Sequence, residues 1–109
     1  MPEMFASRRR PLLFAHRGAS RQAPENTLEA FDLAVRLGAD VLEMDVHLSA
    51  DGEVRVMHDA RLERTTNGTG LLREHTCAAL QRLDAGAKFL TSDGEPRFRD
   101  RGLVIPRFE

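Results

Sequence analysis

The order of elements between residues 12 and 48 most limits what this chain can fold into. Leu12–Ala15 is a short apolar run, typical of a strand buried on both faces. A helical pattern follows, with Asn26 as its predicted N-cap and Gly38 as its C-terminal stop. A second strand is predicted at Val41–Leu48. Strand, helix and strand in this order indicate a βαβ unit, so we expect two parallel strands joined by a right-handed crossover.

The second predicted strand has two unlike faces. Four apolar residues share one face, which we expect to be half-buried, and three polar residues share the other. The apolar residues are Leu42, Met44, Val46 and Leu48, and the polar residues are Glu43, Asp45 and His47. Alternate strand residues lie about 6.6 Å apart. Glu43 and Asp45 can therefore converge on one hard cation such as Ca²⁺ or Mg²⁺. The alternative is a polar edge that faces solvent.

A hairpin is predicted after this strand. Asp51-Gly52 separates two alternating runs, which is a strong hairpin signal. If these two residues form the whole turn, His58 lies directly opposite Asp45 on the same face. A three-residue loop would shift the register by one and remove this pairing.

The rest of the chain carries weaker signals. Residues 59–102 are mostly polar, with an Asn-Gly turn and a short helix that Thr76 is predicted to cap. Gly86 is the expected end of that helix. Leu103–Pro106 is a last apolar segment that we expect to touch the core.

Composition excludes some classes of function. The chain has 109 residues and a formal net charge of −1, which gives no electrostatic case for nucleic acid or an anionic membrane as a partner. No apolar run reaches transmembrane length. The single cysteine, Cys77, cannot form an internal disulfide, so we expect a reducing, cytoplasmic compartment and an inert thiol. Residues 1–11 read as a mobile leader before one domain over residues 12–109.

An ordered set of motifs then points to a family. The set comprises a His-Arg-Gly, a Pro-Glu-Asn-Thr, a Glu-x-Asp, a His-Asp and two later loop segments. They are His16–Gly18, Pro24–Thr27, Glu43-x-Asp45, His58-Asp59, Arg64–Gly70 and Leu83–Gly86. In this order and spacing the chain closely resembles the glycerophosphodiester phosphodiesterase family, over about residues 11 to 106. Any one motif is weak, whereas the ordered set is highly specific.

The resemblance implies a fold. The family is a (β/α)₈ TIM barrel of the phospholipase-C-like phosphodiesterase type, and such barrels run to about 250 residues. We therefore expect this chain to form the N-terminal portion of one, with at most its first three strands. Residues 59–102 would be the segment that the family inserts after the third strand.

The resemblance also implies catalytic and substrate-binding residues. His16 and His58 would act as general acid and general base, since histidine titrates near neutral pH. Both end a predicted strand, where barrel active sites gather. Arg17 would bind a phosphate oxygen of the substrate. For an isolated histidine, a polar strand end is the usual reading, and for an isolated arginine, a surface ion pair.

The metal site implied by the resemblance is only partly present. Glu43 and Asp45 would hold the divalent cation, Ca²⁺ or Mg²⁺, while the family's third carboxylate is expected beyond Glu109. The missing ligand and open strand edges predict that the chain alone is inactive and prone to associate.

The implied reaction is hydrolysis of small-molecule glycerophosphodiesters to glycerol 3-phosphate and an alcohol. Two alternatives remain at this stage. One is a non-catalytic remnant, or a half-barrel that binds phosphodiesters without turnover. The other is a related barrel phosphodiesterase that acts on another lipid head group, against which the inserted segment argues. The sequence leaves head-group preference, metal identity and oligomeric state open.

Overall fold

The computed structural model describes residues 11–108, so residues 1–10 of the predicted leader lie outside the described part. Four three-residue strands, two α-helices and one 3₁₀ turn occur in that part. In chain order they are β1 Phe14–His16, α1 Leu28–Arg36, β2 Val41–Glu43, β3 Val46–Leu48, β4 Val54–Val56, the 3₁₀ turn Leu72–Glu74 and α2 Cys77–Gln81. In residues 11–108, no helix is both long and apolar enough to span a membrane.

The predicted βαβ unit is confirmed. β1 and β2 pair in parallel, with His16 in register with Glu43, and α1 lies between them in sequence. Because each of these residues is the last of its strand, the pairing brings their side chains to the same end of the sheet. The unit therefore positions the first predicted histidine beside the first predicted carboxylate.

The predicted cap of α1 is wrong by one residue. Thr27, not Asn26, is the N-cap, and its Oγ1 accepts a hydrogen bond from the Ala30 backbone N–H at 3.2 Å. The Thr27 hydroxyl also donates to the Pro24 carbonyl at 2.7 Å. Asn26 instead has a φ of +56°, a left-handed conformation that asparagine tolerates better than most residues. Its side chain is thereby free to contact another element.

The predicted strand over residues 41–48 is interrupted. β2 pairs with β1, whereas β3 pairs with β4, so the stretch belongs to two separate two-stranded sheets. The backbone bonds on either side of Met44 go to different partners. The Glu43 carbonyl accepts from the Arg17 N–H at 2.9 Å, and the Asp45 carbonyl accepts from the Met57 N–H at 2.8 Å. Asp45 therefore lies in a break between strands.

The predicted hairpin register is also wrong. β3 and β4 are antiparallel as expected, but Val46 pairs with Val56 and Leu48 with Val54. Ser49 N–H donates to the Glu53 carbonyl at 2.9 Å, so the connection is longer than two residues. The extra residue moves every pair by one, and His58 is not opposite Asp45.

Apolar faces predicted to be buried are open in the described part of the chain. Leu13 and Phe14 are 49% and 56% exposed, although the run that contains them was expected to be buried on both faces. Val46 and Leu48, on the apolar face of β3, are similarly exposed. Within residues 11–108 the two small sheets do not cover these side chains, because each consists of only two short strands.

The hydrophobic core is formed instead by the segment that follows β4. Seven buried apolar residues form it, and Leu83 and Phe98 pack against them. They are Met57, Leu62, Leu72, Leu80, Ala85, Leu103 and Ile105. The predicted contact of Leu103–Pro106 with the core is confirmed. Thr76 caps α2 as expected, although the helix ends at Gln81 rather than at Gly86.

A buried arginine ties this region together. Arg55 of β4 is fully buried, and its guanidinium donates to Cys77 Sγ at 2.9 Å, to Gln81 Oε1 at 3.0 Å and to the Ile105 carbonyl. Cys77 is half-buried, and the contact gives it a cationic neighbour from β4 that the sequence of its own helix did not reveal. The contact joins β4, α2 and the last described segment.

Candidate functional site

The end of the parallel sheet brings one histidine and two carboxylates together. His16 Nε2 lies 3.6 Å from Glu43 Oε1, an approach that follows from their strand register. The His16 side chain is 67% exposed, so this edge is open to a ligand. Asp45 follows two residues after Glu43, in the break between β2 and β3.

Arg17 enters this site because of its backbone conformation. Its φ is +60°, and its backbone N–H donates to Glu43 Oε1 at 3.1 Å as well as to the Glu43 carbonyl. The guanidinium then donates from Nη1 to Glu25 Oε2 at 3.2 Å, while Nε lies 3.5 Å from Asp45 Oδ2. Arg17 therefore contacts three carboxylates, and its side chain is only 21% exposed.

Asn26 holds the second carboxylate. Its Nδ2 donates to Asp45 Oδ2 at 3.2 Å, and its backbone N–H donates to the Arg17 carbonyl at 2.8 Å. Asn26 is 3% exposed, and its Oδ1 has no hydrogen-bond partner among the described residues. The sequence alone gave Asn26 a capping role. Thr27, a second residue able to cap a helix directly after Asn26, was the available signal for a different role of Asn26.

His58 occupies a neighbouring position. It follows β4 and Met57, and its Nδ1 lies 2.8 Å from Asp59 Oδ1. Within residues 11–108, no hydrogen bond or ion pair joins His58 directly to Glu43 or Asp45. The predicted direct neighbourhood of His58 and the carboxylates therefore fails with the hairpin register, although the Met57 N–H bond to Asp45 keeps their backbones adjacent.

A salt-bridge network connects the two parts of the site. Arg64 donates to both oxygens of Glu25, at 2.7 and 2.9 Å, and to both oxygens of Asp59, at 2.8 and 3.1 Å. Asp59 holds His58, and Glu25 holds Arg17. The sequence predicted no role for Arg64 or Glu25, because their contact spans 39 positions and leaves no local pattern.

The electrostatics of the network follow from these contacts. The hydrogen bonds from Arg64 and then from His58 lower the pKa of Asp59 to about 2. Burial alone would raise the pKa of Glu25, but Arg64 and then Arg17 outweigh it and lower that pKa below its usual value. The two carboxylates in turn raise the pKa of Arg64. All three groups are therefore charged at neutral pH.

The carboxylates of Glu43 and Asp45 each have one oxygen without a described hydrogen-bond donor. In the contacts described for residues 11–108, Glu43 Oε1 and Asp45 Oδ2 take the donors, and Glu43 Oε2 and Asp45 Oδ1 take none. No group of three His, Cys, Asp or Glu residues in that range is arranged to hold a metal ion. The metal ligands predicted at Glu43 and Asp45 therefore stay a prediction.

These features match one family. Residues 16–109 match the model of the glycerophosphoryl diester phosphodiesterase family, which is most of the chain. The Bacillus subtilis protein YhdW is 55% identical over 96 residues, which cover 88% of this chain and 40% of YhdW. The chain belongs to the glycerophosphoryl diester phosphodiesterase family.

Solved structures of the family agree with the fold. A glycerophosphodiester phosphodiesterase from Agrobacterium tumefaciens is 45% identical, with a TM-score of 0.82, over 91% of this chain and 40% of that protein. An Oleispira antarctica phosphodiesterase, solved with the product sn-glycerol-3-phosphate, is 41% identical with a TM-score of 0.79, over 90% of this chain and 37% of its own. These matches support the predicted barrel-type fold. The chain spans about two fifths of the length of these relatives.

Proposed function

We propose that this chain contributes the N-terminal part of an enzyme that hydrolyses glycerophosphodiesters to glycerol 3-phosphate and an alcohol. Family membership supports this reaction, and the product bound in the Oleispira relative supports this substrate class. The observation that carries the proposal is the position of Arg17. Its guanidinium lies between the carboxylates of Glu25 and Asp45, directly after His16 in the chain, so a cation for phosphate stands next to a group that can transfer protons.

His16 and His58 transfer protons in this proposal. One gives a proton to the leaving alcohol, and the other removes a proton from the attacking hydroxyl, which belongs either to the substrate's glycerol or to water. Their side chains are 67% and 44% exposed, so both are open to a substrate. His16 ends β1 and His58 lies two residues after β4, and such strand ends carry the active sites of barrel enzymes.

Arg17 binds the phosphate. A guanidinium matches two phosphate oxygens through paired N–H donors. Glu25 and Asp45 fix the orientation of this guanidinium in advance, which reduces the entropy lost when phosphate binds.

Glu43 and Asp45 hold a divalent cation, Ca²⁺ or Mg²⁺. The donor set fits such an ion, because hard cations take oxygen ligands and each carboxylate retains an oxygen without a described donor. Asn26 fixes Asp45 for this purpose. When bound, the ion neutralises phosphate charge and orients the substrate. A third carboxylate ligand is expected outside this chain.

We also propose that the protein works in a reducing, cytoplasmic compartment.

The test uses a chimera that joins this chain to the remaining length of the Agrobacterium relative. With glycerophosphocholine as substrate, His16→Ala and His58→Ala should each lower the rate by roughly 10²- to 10⁴-fold. His75→Ala is the matched control, because His75 contacts the Leu71 carbonyl and should leave the rate unchanged. Full turnover in either of the first two variants would remove that histidine from the mechanism.

The cation is tested separately. Asp45→Asn should lower both divalent-ion affinity and activity of the chimera, because it removes an anionic ligand. Asp93→Asn is the control, since Asp93 pairs with Arg97 on an exposed loop. The 109-residue chain alone should turn over far more slowly than about 1 s⁻¹. If Asp45→Asn in metal-free buffer kept the activity that the parent shows with added Ca²⁺ or Mg²⁺, the ligand assignment would be contradicted.

A further inference from the structure

A continuous series of side-chain hydrogen bonds runs from His58, a proposed catalytic residue, to Arg17, the proposed phosphate-binding residue. His58 contacts Asp59, Asp59 contacts Arg64, Arg64 contacts Glu25, and Glu25 contacts Arg17. Each step is a hydrogen bond between 2.7 and 3.2 Å. From the sequence, Asp59 was a candidate to orient the loop or His58, whereas Arg64 and Glu25 had no predicted role in the reaction.

We propose that Asp59 and Arg64 are positioning residues that hold the neutral His58 ring as its Nδ1–H tautomer and leave Nε2 free to exchange protons with the substrate. The catalytic use of that nitrogen rests on the proposed function. The tautomer itself does not, because it follows from contacts within this chain.

The tautomer follows from what Asp59 can accept. The pKa of Asp59 is lowered to about 2, so the carboxylate is ionised at neutral pH and only accepts hydrogen bonds. The His58 nitrogen 2.8 Å away must therefore carry the proton. A carboxylate that fixes a histidine through one ring nitrogen sets the chemistry of the other, as in hydrolase triads and metal sites.

Arg64 is what fixes Asp59. An isolated, exposed aspartate next to a histidine would sample several rotamers, but Arg64 contacts both of its oxygens. The planar fork of arginine can hold Asp59 and Glu25 at once, whereas the single ammonium of a lysine cannot match both pairs. The backbone of His58 is fixed as well, since its carbonyl accepts from His47 Nε2 at 2.8 Å.

The same arginine couples the two ends of the site. Glu25 is held by Arg64 through both oxygens and by Arg17 through one, and its side chain is only 16% exposed. Loss of Arg64 therefore frees Asp59 and also leaves Glu25 with a single cationic partner. We expect the orientation of the His58 ring to be the more sensitive of the two effects, because the ring has no other described side-chain contact in residues 11–108.

The experiment measures ring-nitrogen protonation by solid-state ¹⁵N NMR of the 109-residue chain with labelled histidine, so association of the chain does not interfere. The pH is kept well above the ordinary histidine pKa of about 6.5. His58→Gln identifies the His58 signals. Two other histidines are internal controls: His75 should be protonated at Nδ1, facing the Leu71 carbonyl, and His47 at Nε2, facing the His58 carbonyl.

In the parent chain His58 should be predominantly Nδ1–H. Asp59→Ala should lower the ratio of Nδ1–H to Nε2–H by about tenfold or more, as expected for loss of a charge-assisted hydrogen bond. Arg64→Gln should lower it by about threefold to tenfold, with Arg64→Lys between it and the parent. Arg61→Gln is the matched control, because Arg61 pairs with Glu63 in the same loop and should change nothing.

Two results would overturn the proposal: a parent chain with His58 mainly Nε2–H, or Arg64→Gln and Arg64→Lys both equal to Arg61→Gln. The His47 and His75 signals show whether each variant keeps its local structure, and if Arg64→Gln loses them, the Arg64→Lys result decides. The outcome is separable from the proposed function. An inactive chimera with the expected tautomers would contradict the reaction and leave the positioning intact.

Discussion

Gly18 should be essential to the site for a steric reason that can be isolated from backbone strain. It follows His16 and Arg17, has a φ of +81°, and passes directly against α1. A Cβ added there would lie 2.8 Å from both the carbonyl carbon and the Cβ of Ala30. Gly52 has the same φ of +81°, but a Cβ there would meet nothing within 4 Å. The pair Gly18→Ala and Gly52→Ala therefore differs only in the contact.

The expected magnitudes follow from these two terms. The left-handed backbone costs an L-residue about 1–2 kcal/mol, which applies to both variants. Gly18→Ala adds an overlap with the backbone of Ala30, which is fully buried and cannot rotate away, at a cost of about 1–3 kcal/mol. We therefore expect Gly18→Ala to lower the free energy of unfolding by about 3 kcal/mol and Gly52→Ala by about 1 kcal/mol.

The assay is urea unfolding of both variants and the parent, followed by far-ultraviolet circular dichroism. Any affinity of the chimera for glycerol 3-phosphate should fall in Gly18→Ala alone, because the shifted loop carries Arg17 and its carbonyl bond to Asn26. Equal losses of stability in the two variants would refute the steric reasoning. Such a result would show that the segment from His16 to Gly18 can move away from α1 without loss of stability.

Two further predictions concern the capping residues and the acid limb. Thr27→Val removes the cap of α1 and should lower the free energy of unfolding by about 1–2 kcal/mol. Thr76→Val, which uncaps the shorter and more exposed α2, should lower it by about 0.5–1 kcal/mol in the same urea assay. Equal losses in the two variants would contradict the role of burial. The pKa of Asp59 falls from its ordinary 3.8 to about 2 in the folded chain, so its stabilisation is present above pH 3.8 and is lost as pH falls towards 2. Solvent at this partly exposed site reduces that stabilisation to about 1 kcal/mol. Asp59→Asn should therefore flatten the acid limb of a stability-against-pH curve by that amount, and an unchanged limb would contradict the contact with Arg64.

Some contacts in the site follow from the order of the elements, and others depend on the exact length of a loop. His16 and Glu43 meet because the βαβ order, which the sequence predicted, makes their strands parallel, whereas the end of β2 at Glu43 is visible only in the structure. Asp45 and His58 could not, since their relation depends on one residue of loop length around Asp51-Gly52. A register error of one moves a side chain to the opposite face of a strand.

The sequence by itself determined the family, the order of the elements and the residues with chemistry to offer. Motif spacing and hydrophobic periodicity are local properties of the sequence, so they can be recognised without knowing how the helices and strands pack together. Only the tertiary structure decided that Thr27 caps the helix while Asn26 turns to Asp45, and that Arg64 reaches Glu25 across 39 positions. The physical reason is that long-range salt bridges and side-chain orientation depend on how separate elements meet. No local pattern of residues encodes that meeting.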